Sequence, residues 1–231
     1  MPEKMRSDLL QLGEQMDKSS RSAPWVASIR TLGPRHRSRI ETHLQALDEH
    51  DRYLRFGYLA NDEQIHRYVQ GLDFERDVIF GIYNRRLELI AMAHLAYALD
   101  KHCESCAEFG VSVLKSVRGH GYGGKLFDRA VKHARNNGVQ LMFIHALSEN
   151  MAMLKIARKA GAKVEQDGSE SRAYLRLPPA TFDTLVTEMI EEKLAQTDYG
   201  LKRQARQFWD FLQSLQEVRR GVREGRHKSS P

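Results

Sequence analysis

The stretch Arg118-Gly119-His120-Gly121-Tyr122-Gly123-Gly124-Lys125 places four glycines within six positions, between a β-rich segment and a helical one. Glycines let the backbone come close to a ligand and turn its amide groups toward it. The N-terminus of the helix that follows adds unpaired N–H groups and about half a positive charge. Because a tight turn needs only one or two glycines, the stretch predicts a loop that binds an anion, most often a phosphate.

Two common phosphate-binding motifs match these letters only in part. Gly119-x-x-x-x-Gly124-Lys125 follows a nucleoside-triphosphate P-loop, but Leu126 stands where a Ser or Thr would hold magnesium. Gly119-x-Gly121-x-x-Gly124 matches the dinucleotide fingerprint, yet hairpin-like runs precede it instead of a second βαβ half. We therefore set the first motif aside and regard the second as weak by itself.

The segments around the loop predict the fold. Upstream, short polar turns separate three β-rich runs, so neighbouring strands must pair antiparallel because a parallel crossover needs a dozen or more residues. These runs are Asp77–Tyr83, Leu87–Tyr97 and Ala107–Leu114. Downstream, a helix, a strand and a further helix allow one parallel step, and a hairpin over residues 163–177, turning at Asp167-Gly168, closes the sheet. These three segments are Lys125–Asn136, Leu141–Leu147 and Asn150–Ala160.

We therefore predict an α/β (α+β) fold, with a mixed, mostly antiparallel sheet flanked by helices. A first strand lies within Trp25–Leu32, and helices follow Pro34 and Asn61. In the helix that follows Pro34, four residues repeat at helical spacing: Ile40, His43, Leu44 and Leu47. A C-terminal helical extension follows the sheet.

Composition bounds the class of protein. The chain has 231 residues, of which 41% are hydrophobic and 29% charged, as is usual for a globular protein. The longest nearly apolar run, Leu89–Leu99, is eleven residues long, whereas a bilayer helix needs about 20. The charged N-terminus lacks the apolar segment of a secretory signal. We expect a cytoplasmic protein with no membrane partner.

The net charge of +6 lies mostly at the C-terminus, where eight Lys and Arg face three Asp and Glu from Gly200 onward. We divide the chain into a helical or linker segment (1–22), a main domain (23–178) and an amphipathic helical extension with a basic tail (179–231). The apolar stripes of the extension typically pack on their own domain or on a partner subunit, which leaves a homodimer through the C-terminal helices open. For the tail we favour a solvated helix end over a nucleic-acid surface.

The two cysteines, Cys103 and Cys106, form a single CxxC. A structural zinc site needs four ligands, and no second CxxC or HxxxH pair completes one. We expect no metal and a reduced pair in a hairpin turn.

Counted from the arginine, the glycine loop reads Arg118-x-x-Gly121-x-Gly123 after a strand that ends Val111-Ser-Val-Leu. With the helix Asn150–Gly161 downstream, this pattern resembles the GNAT superfamily of acetyl-CoA-dependent N-acetyltransferases. The resemblance covers roughly residues 25–177 and is most specific over 107–161. The segment Tyr53-Leu54-Arg55-Phe56 and Ala107-Glu108 look closest to the GNAT domain of bacterial protein-lysine acetyltransferases.

The resemblance implies acetyl-CoA as cosubstrate and assigns its contacts. The backbone of Val111 and Val113 would pair with the pantetheine arm, and Asn150 would contact the cofactor through its side chain. The pyrophosphate would lie on the loop formed by Arg118, Gly119, Gly121, Gly123 and Gly124.

Glu108 is the candidate catalytic base. It stands ten positions before Arg118, as a glutamate does in the protein-acetylating domains that this chain resembles. Alternation in the strand directs Glu108 away from the face that carries Phe109. An ordinary ion pair on a half-exposed sheet face is the competing interpretation. We expect the strand residues His94 and His145 to be core histidines with satisfied hydrogen bonds.

One departure from the family pattern bears on function. Many members carry a tyrosine seven residues after the helix-starting Asn, where it protonates the departing thiolate, and this chain has Ala157. The sequence therefore leaves two functional classes open: an N-acetyltransferase acting on a protein lysine or a small amine, or an acyl-CoA-binding regulatory module without efficient turnover.

Overall fold

Seven strands form one sheet in the part of the chain that the computed structural model describes, residues 28–98, 105–167, 170–181, 183–196 and 199. Their order across the sheet is β1-β2-β3-β4-β5-β7-β6. The strands are β1 (Ile29–Leu32), β2 (Val78–Tyr83), β3 (Leu89–Tyr97), β4 (Cys106–Val113), β5 (Leu141–Leu147), β6 (Lys163–Asp167) and β7 (Glu170–Arg176).

Neighbouring strands are antiparallel except for β4 and β5. This parallel pair is short, since only Cys106–Glu108 lie beside Leu141–Phe143. Beyond Glu108 the two strands separate and leave a gap in the middle of the sheet. The predicted mixed sheet with a single parallel step is confirmed.

Helices cover both faces of the sheet. One face packs against α4 and α5 through side chains such as Phe127 and Leu154, and the other packs against α1 and α3 through Leu44 and Ile65. The helices are α1 (Arg37–Gln45), α2 (Glu49–Phe56), α3 (Asp62–Gln70), α4 (Tyr122–Asn136), α5 (Met151–Lys159) and α6 (residues 183–196).

The spacing of apolar residues in the sequence does not by itself separate α2 from α1. Asp48 begins it, because its side chain accepts a hydrogen bond from the Asp51 N–H at 2.8 Å and so caps the free end of the helix. Gly57 ends it in a left-handed conformation, with φ at +79°. Between these caps α2 contacts both β4 and β5, and it therefore lies over the gap in the sheet.

The helix α6 packs on α4 through charged side chains. Glu188 lies 2.9 Å from Arg129 Nη1 and 2.5 Å from His133 Nδ1, and Glu192 lies 3.2 Å from Arg129 Nη2. The large apolar side chains of α6 that the structure describes point away from the domain, so the first of the two predicted alternatives, packing on the domain, does not hold for them, and packing on a partner subunit stays a prediction. These side chains, 37–68% exposed, are Leu185, Val186, Met189, Ile190 and Leu194.

Several predicted features lie outside the described residues. They are the segment 1–22, the turn glycine at position 168, and the second apolar stripe and basic tail that follow position 200. Cys106 is disulfide-bonded, so the expectation of a reduced side chain is wrong there; Cys103, the only other cysteine of the sequence, is not among the described residues. In the described part of the chain, no helix is both long and apolar enough to cross a bilayer.

Candidate functional site

A cavity of about 290 Å³ opens where β4 and β5 separate. Its walls come from the end of α2, from both separating strands and from the start of α5, and polar residues among them include Arg55, Glu108, His145, Asn150 and Ser171. Within the described ranges, no group of three or more His, Cys, Asp or Glu side chains is placed to hold a metal ion.

The backbone of β4 presents an open edge to this cavity. Hydrogen bonds at Cys106 and at Leu114 go to the β3 side, and in an antiparallel pair such bonds recur at every second residue. The even-numbered residues of β4 therefore bond to β3. Consequently the N–H and C=O groups of Val111 and Val113 point toward β5, which pairs with β4 only as far as Glu108.

Two glycines of the predicted loop are required by the backbone conformation. Gly119 and Gly121 have φ values of +82° and +75°, which side-chain-bearing residues rarely adopt. Gly121 is also the N-cap of α4, and the helix begins at Tyr122 instead of the predicted Lys125. The free N–H groups of the first helical turn therefore belong to the glycine stretch, as an anion-binding loop requires.

The other two glycines have different surroundings. A Cβ on Gly123 would lie 3.2 Å from Ile156 Cδ1, so a glycine at this position lets α4 pack closely against α5. A Cβ on Gly124 would meet no atom within 4 Å, which leaves this position open.

Arg118 already has an ionic partner that the sequence did not indicate. Its Nη2 lies 2.5 Å from Oδ1 of Asp51, whose side chain is 5% exposed against 46% for the arginine. Arg118 Nε also donates to the Val113 carbonyl at 3.3 Å. A weaker contact of 3.5 Å joins Lys115 to Asp48. The ion pair between Asp51 and Arg118 thus joins the N-terminus of α2 to the glycine loop. The sequence alone does not predict this pair, because an acidic residue in the first turn of a helix is expected there for the helix dipole.

Asn150 caps α5 and lines the cavity. Its Oδ1 accepts a hydrogen bond from the Met153 N–H at 3.1 Å, which leaves the amide nitrogen for another partner. Ala157, seven residues further on, is fully buried in the core and does not line the cavity.

Glu108 lies on the cavity wall, exposed, while its neighbour Phe109 is 1% exposed in the core. The predicted alternation along this strand is confirmed. The expectation of a core histidine is right for His94, whose side chain is 12% exposed, and wrong for His145, which is exposed on the cavity wall. The reason is that Ile144 and its alternate neighbours take the core positions of β5.

A chain of hydrogen bonds runs from the cavity into the domain. Arg55 Nη2 donates to Tyr68 Oη at 2.9 Å, and Tyr68 Oη lies 2.8 Å from His94 Nδ1. His94 Nε2 lies 3.0 Å from Asp77 Oδ2, and Arg76 Nε donates to Asp77 Oδ1 at 2.7 Å. The sequence predicts only that His94 is buried, and it does not predict that these residues lie together.

The protonation of this chain follows from its surroundings. Burial, and then the charge of Arg55, lower the pKa of His94, so the ring is neutral at neutral pH. Burial alone would raise the pKa of Asp77, but hydrogen bonds from Arg76 and His94 outweigh it and lower that pKa. Each bond then has one donor: Arg55 donates to Tyr68, Tyr68 to His94, and His94 to the Asp77 carboxylate.

A second buried histidine, His43, joins α1 to the sheet. Its Nδ1 lies 2.9 Å from the Leu89 carbonyl and its Nε2 lies 2.8 Å from Ser112 Oγ. Burial lowers the pKa of His43 to about 4, so the neutral ring donates to the carbonyl and accepts from the serine hydroxyl. Both groups are buried, and the pair is a packing element without access to the cavity.

Comparisons with known proteins agree with this geometry. The family model "Acetyltransferase (GNAT) domain" matches residues 28–163. The GNAT domain of PAT from S. lividans is 19% identical, with a TM-score of 0.56, over 64% of this chain and 89% of that one. The putative acetyltransferase yncA from Salmonella typhimurium, solved with acetyl-CoA, is 14% identical, with a TM-score of 0.53, over 67% and 96%. An N-acetyltransferase from Staphylococcus aureus is 16% identical, with a TM-score of 0.53, over 66% and 99%.

Proposed function

Because the chain belongs to the GNAT acetyltransferase family, we propose that it is an acetyl-CoA-dependent N-acetyltransferase that moves an acetyl group directly to a primary amine. The observation that carries the proposal is the open backbone edge of β4 beside a glycine loop that begins a helix. Acetyl-CoA would supply the acyl group as a thioester.

The residues present fit this cosubstrate. The outward N–H and C=O groups of Val111 and the N–H of Val113 suit the amides of the pantetheine arm, whereas the Val113 carbonyl already accepts a hydrogen bond from Arg118. The loop from Arg118 to Gly124, with the first turn of α4, offers amide donors and the helix dipole to a pyrophosphate. Asn150 retains an amide nitrogen at the cavity wall.

Glu108 has the position and chemistry of a general base. An amine with a pKa of about 10.4 is almost wholly protonated at pH 7 and must lose a proton before it attacks. In the proposed reaction the carboxylate takes that proton, the amine nitrogen bonds to the acetyl carbon, and the carbon–sulfur bond breaks. Backbone N–H groups around Val111 to Val113 would stabilise the oxyanion. Holding both substrates together in one cleft can lower the activation free energy by roughly 7–11 kcal/mol.

Position 157 holds a buried alanine instead of a tyrosine, so no side chain at this position can protonate the departing thiolate. In this mechanism the thiolate takes its proton from water. The second candidate function, an acyl-CoA-binding regulatory module without efficient turnover, is favoured by this same residue.

Further parts of the proposal concern the partners. We propose a protein lysine as the acceptor class, following the resemblance of residues 53–56 and 107–108, with a small-molecule amine as the alternative. The exposed apolar side chains of α6 are compatible with a homodimer through the C-terminal helices. A cytoplasmic location, the division of the chain at residues 22 and 178, and the absence of nucleic-acid binding stay predictions of the sequence.

Two measurements test the proposed function. Calorimetric titration should show acetyl-CoA binding that Arg118→Gln weakens and that the control Arg67→Gln leaves unchanged, since Arg67 is exposed on α3. Thiol release from acetyl-CoA with a panel of amines and lysine peptides should then show turnover. Absence of acetyl-CoA binding would overturn the proposal, and binding without thiol release for any amine would favour the regulatory module.

A further inference from the structure

The guanidinium of Arg55 lies flat against β4 at Gly110. An ideal Cβ at position 110 would lie 3.0 Å from Arg55 Cζ and 3.1 Å from both of its terminal nitrogens. Gly110 does not have a positive φ, so its backbone does not require glycine. The glycine instead makes room for the arginine, since a Cβ at this position would require the guanidinium to shift by a few tenths of an ångström.

Two aromatic rings and one hydrogen bond hold Arg55 in place, and no carboxylate among the described residues pairs with it. Its Cζ lies 5.2 Å from the centre of the Phe56 ring and 5.5 Å from that of Tyr68. Its hydrogen bond to Tyr68 is the first of the chain that ends at Asp77. A guanidinium has five N–H donors, and in the described residues this bond is the one hydrogen bond made by the Arg55 side chain.

Arg55 and Glu108 line the same cavity without forming an ion pair in the described part of the chain. Glu108 and Gly110 are alternate residues of β4 and share one face of the sheet. This part of the cavity therefore presents a carboxylate and a guanidinium that have no charged partner among the described residues, so each can meet a charge on a ligand. We call it the acceptor side of the cavity. A guanidinium matches the planar geometry of a carboxylate and can bind it through two parallel hydrogen bonds.

We propose that the acceptor is a primary amine that carries a carboxylate in the same molecule, with its amine at Glu108 and its carboxylate at Arg55. This inference rests on the proposed acetyl transfer and names the substrate class of that site. The same chemistry comes from two sources, a free α-amino acid or a lysine flanked by an acidic residue in a peptide. Tyr68, His94 and Asp77 act as positioning residues, since they reach the ligand only through Arg55.

The test compares acceptors that differ only in the carboxylate. With acetyl-CoA saturating, kcat/KM is measured by thiol release for L-alanine against L-alaninamide, and for peptides with a Lys-Glu pair against the same peptides with Lys-Gln. We expect the acid of at least one pair to be preferred by about 10- to 100-fold, the usual contribution of a charged hydrogen-bonded pair. The pair that shows the preference identifies the source. The amine of alaninamide is easier to deprotonate than that of alanine. By itself this difference would favour the amide, so it cannot produce the expected preference for the acid.

Variants assign the preference to Arg55. Arg55→Gln should bring the acid-to-amide ratio close to 1, because the acid loses its guanidinium partner and the amide had none to lose. Gly110→Ala should lower the ratio by less, because its methyl group shifts the guanidinium by only a few tenths of an ångström. Arg55→Lys keeps the charge and should retain part of the preference, which also covers the case in which the Gln variant does not fold. The control Arg67→Gln should leave the ratio unchanged.

Other results of the same experiments would overturn the inference. Ratios near 1 for both wild-type pairs would overturn the inference, as would a ratio that survives in Arg55→Gln. If acetyl-CoA binds but no amine releases thiol, the proposed acetyl transfer fails, and titration of alanine and alaninamide into CoA-saturated protein decides the inference by itself. Selective binding of alanine would support it, and equal or absent binding of the two would overturn it.

Discussion

The two sides of the cavity are built from different parts of the chain. The side that we propose for the cofactor is made of backbone: the open edge of β4, the left-handed Gly119 and Gly121, and the first turn of α4. The side that we propose for the acceptor is made of side chains, Glu108 and Arg55, and a hydrogen bond from Arg55 to Tyr68 of another helix holds the arginine. The difference teaches that a local glycine pattern determines the first side, whereas contacts between distant segments determine the second.

The largest effect is expected on the acceptor side. Glu108→Gln should lower kcat by about 10²- to 10⁴-fold, because the amide cannot take the proton of the amine. Acetyl-CoA affinity should stay at the wild-type value, since the cofactor side does not use this carboxylate. Steady-state kinetics and calorimetry measure the two quantities. Glu63→Gln, an exposed substitution on α3, is the control, and unchanged kcat in Glu108→Gln would remove Glu108 from the mechanism.

The next effect concerns the cofactor side alone. Gly121→Val forces a branched side chain into a left-handed conformation, at a cost of roughly 1–2 kcal/mol, and we expect acetyl-CoA to bind about tenfold more weakly. Gly138→Val is the matched control, because Gly138 has a φ of +77°, also has open space around it, and follows the other end of α4. Both variants should lose similar stability in thermal unfolding. Equal losses of acetyl-CoA affinity in the two variants would contradict a cofactor role for the loop.

A smaller effect tests the link between the two sides. Arg118→Gln leaves the buried Asp51 carboxylate without its cation, so the free energy of unfolding should fall by about 1–2 kcal/mol. Adding Asp51→Asn should restore that stability but not the lost acetyl-CoA affinity. Urea unfolding and calorimetry on the two single variants and the double variant separate the roles. Recovery of both quantities in the double variant would mean that Arg118 acts only through folding.

The smallest effect lies outside both sides, at the junction of α6 with α4. Burial alone would raise the pKa of Glu188, but hydrogen bonds from His133 and Asn136, with the charge of Arg129, lower it to about 2. A carboxyl whose folded pKa is lowered contributes stability that is complete above its unfolded pKa of about 4.5 and is lost as the pH falls toward 2. We expect about 1 kcal/mol of stability to disappear over this range. Glu188→Gln should flatten that part of the pH profile of unfolding, and an unchanged profile would show that Glu188 is not responsible.

What can be predicted from the sequence also differs between the two sides of the cavity. The glycine turn at Gly119 and Gly121 and the strand that contains Val111 and Val113 can be predicted from sequence because turn conformation and strand alternation are local features. The roles predicted for these four residues toward a cofactor stay predictions. Arg55, Tyr68 and Asp77 were not brought together, because each lies on a different element and only the packed fold places them in contact.

The helix α6 shows a second limit of sequence reasoning. Its acidic residues, Glu188, Glu191 and Glu192, recur at helical spacing just as its apolar residues do. Periodicity shows that a helix has two faces but not which one is turned inward. Here the basic residues of α4 decide it, and the acidic face packs against the domain.

The alternation of β4 also bears on how such a protein diverges. In the proposed reaction, odd-numbered residues would offer their backbone to the acyl donor, and the even-numbered Glu108 and Gly110 would face the acceptor. Mutations that replace the even-numbered side chains can therefore change which amine is accepted while the amides opposite them keep their positions. If the proposed reaction is correct, a single strand would allow a lineage to acquire new acceptors without losing its acyl donor.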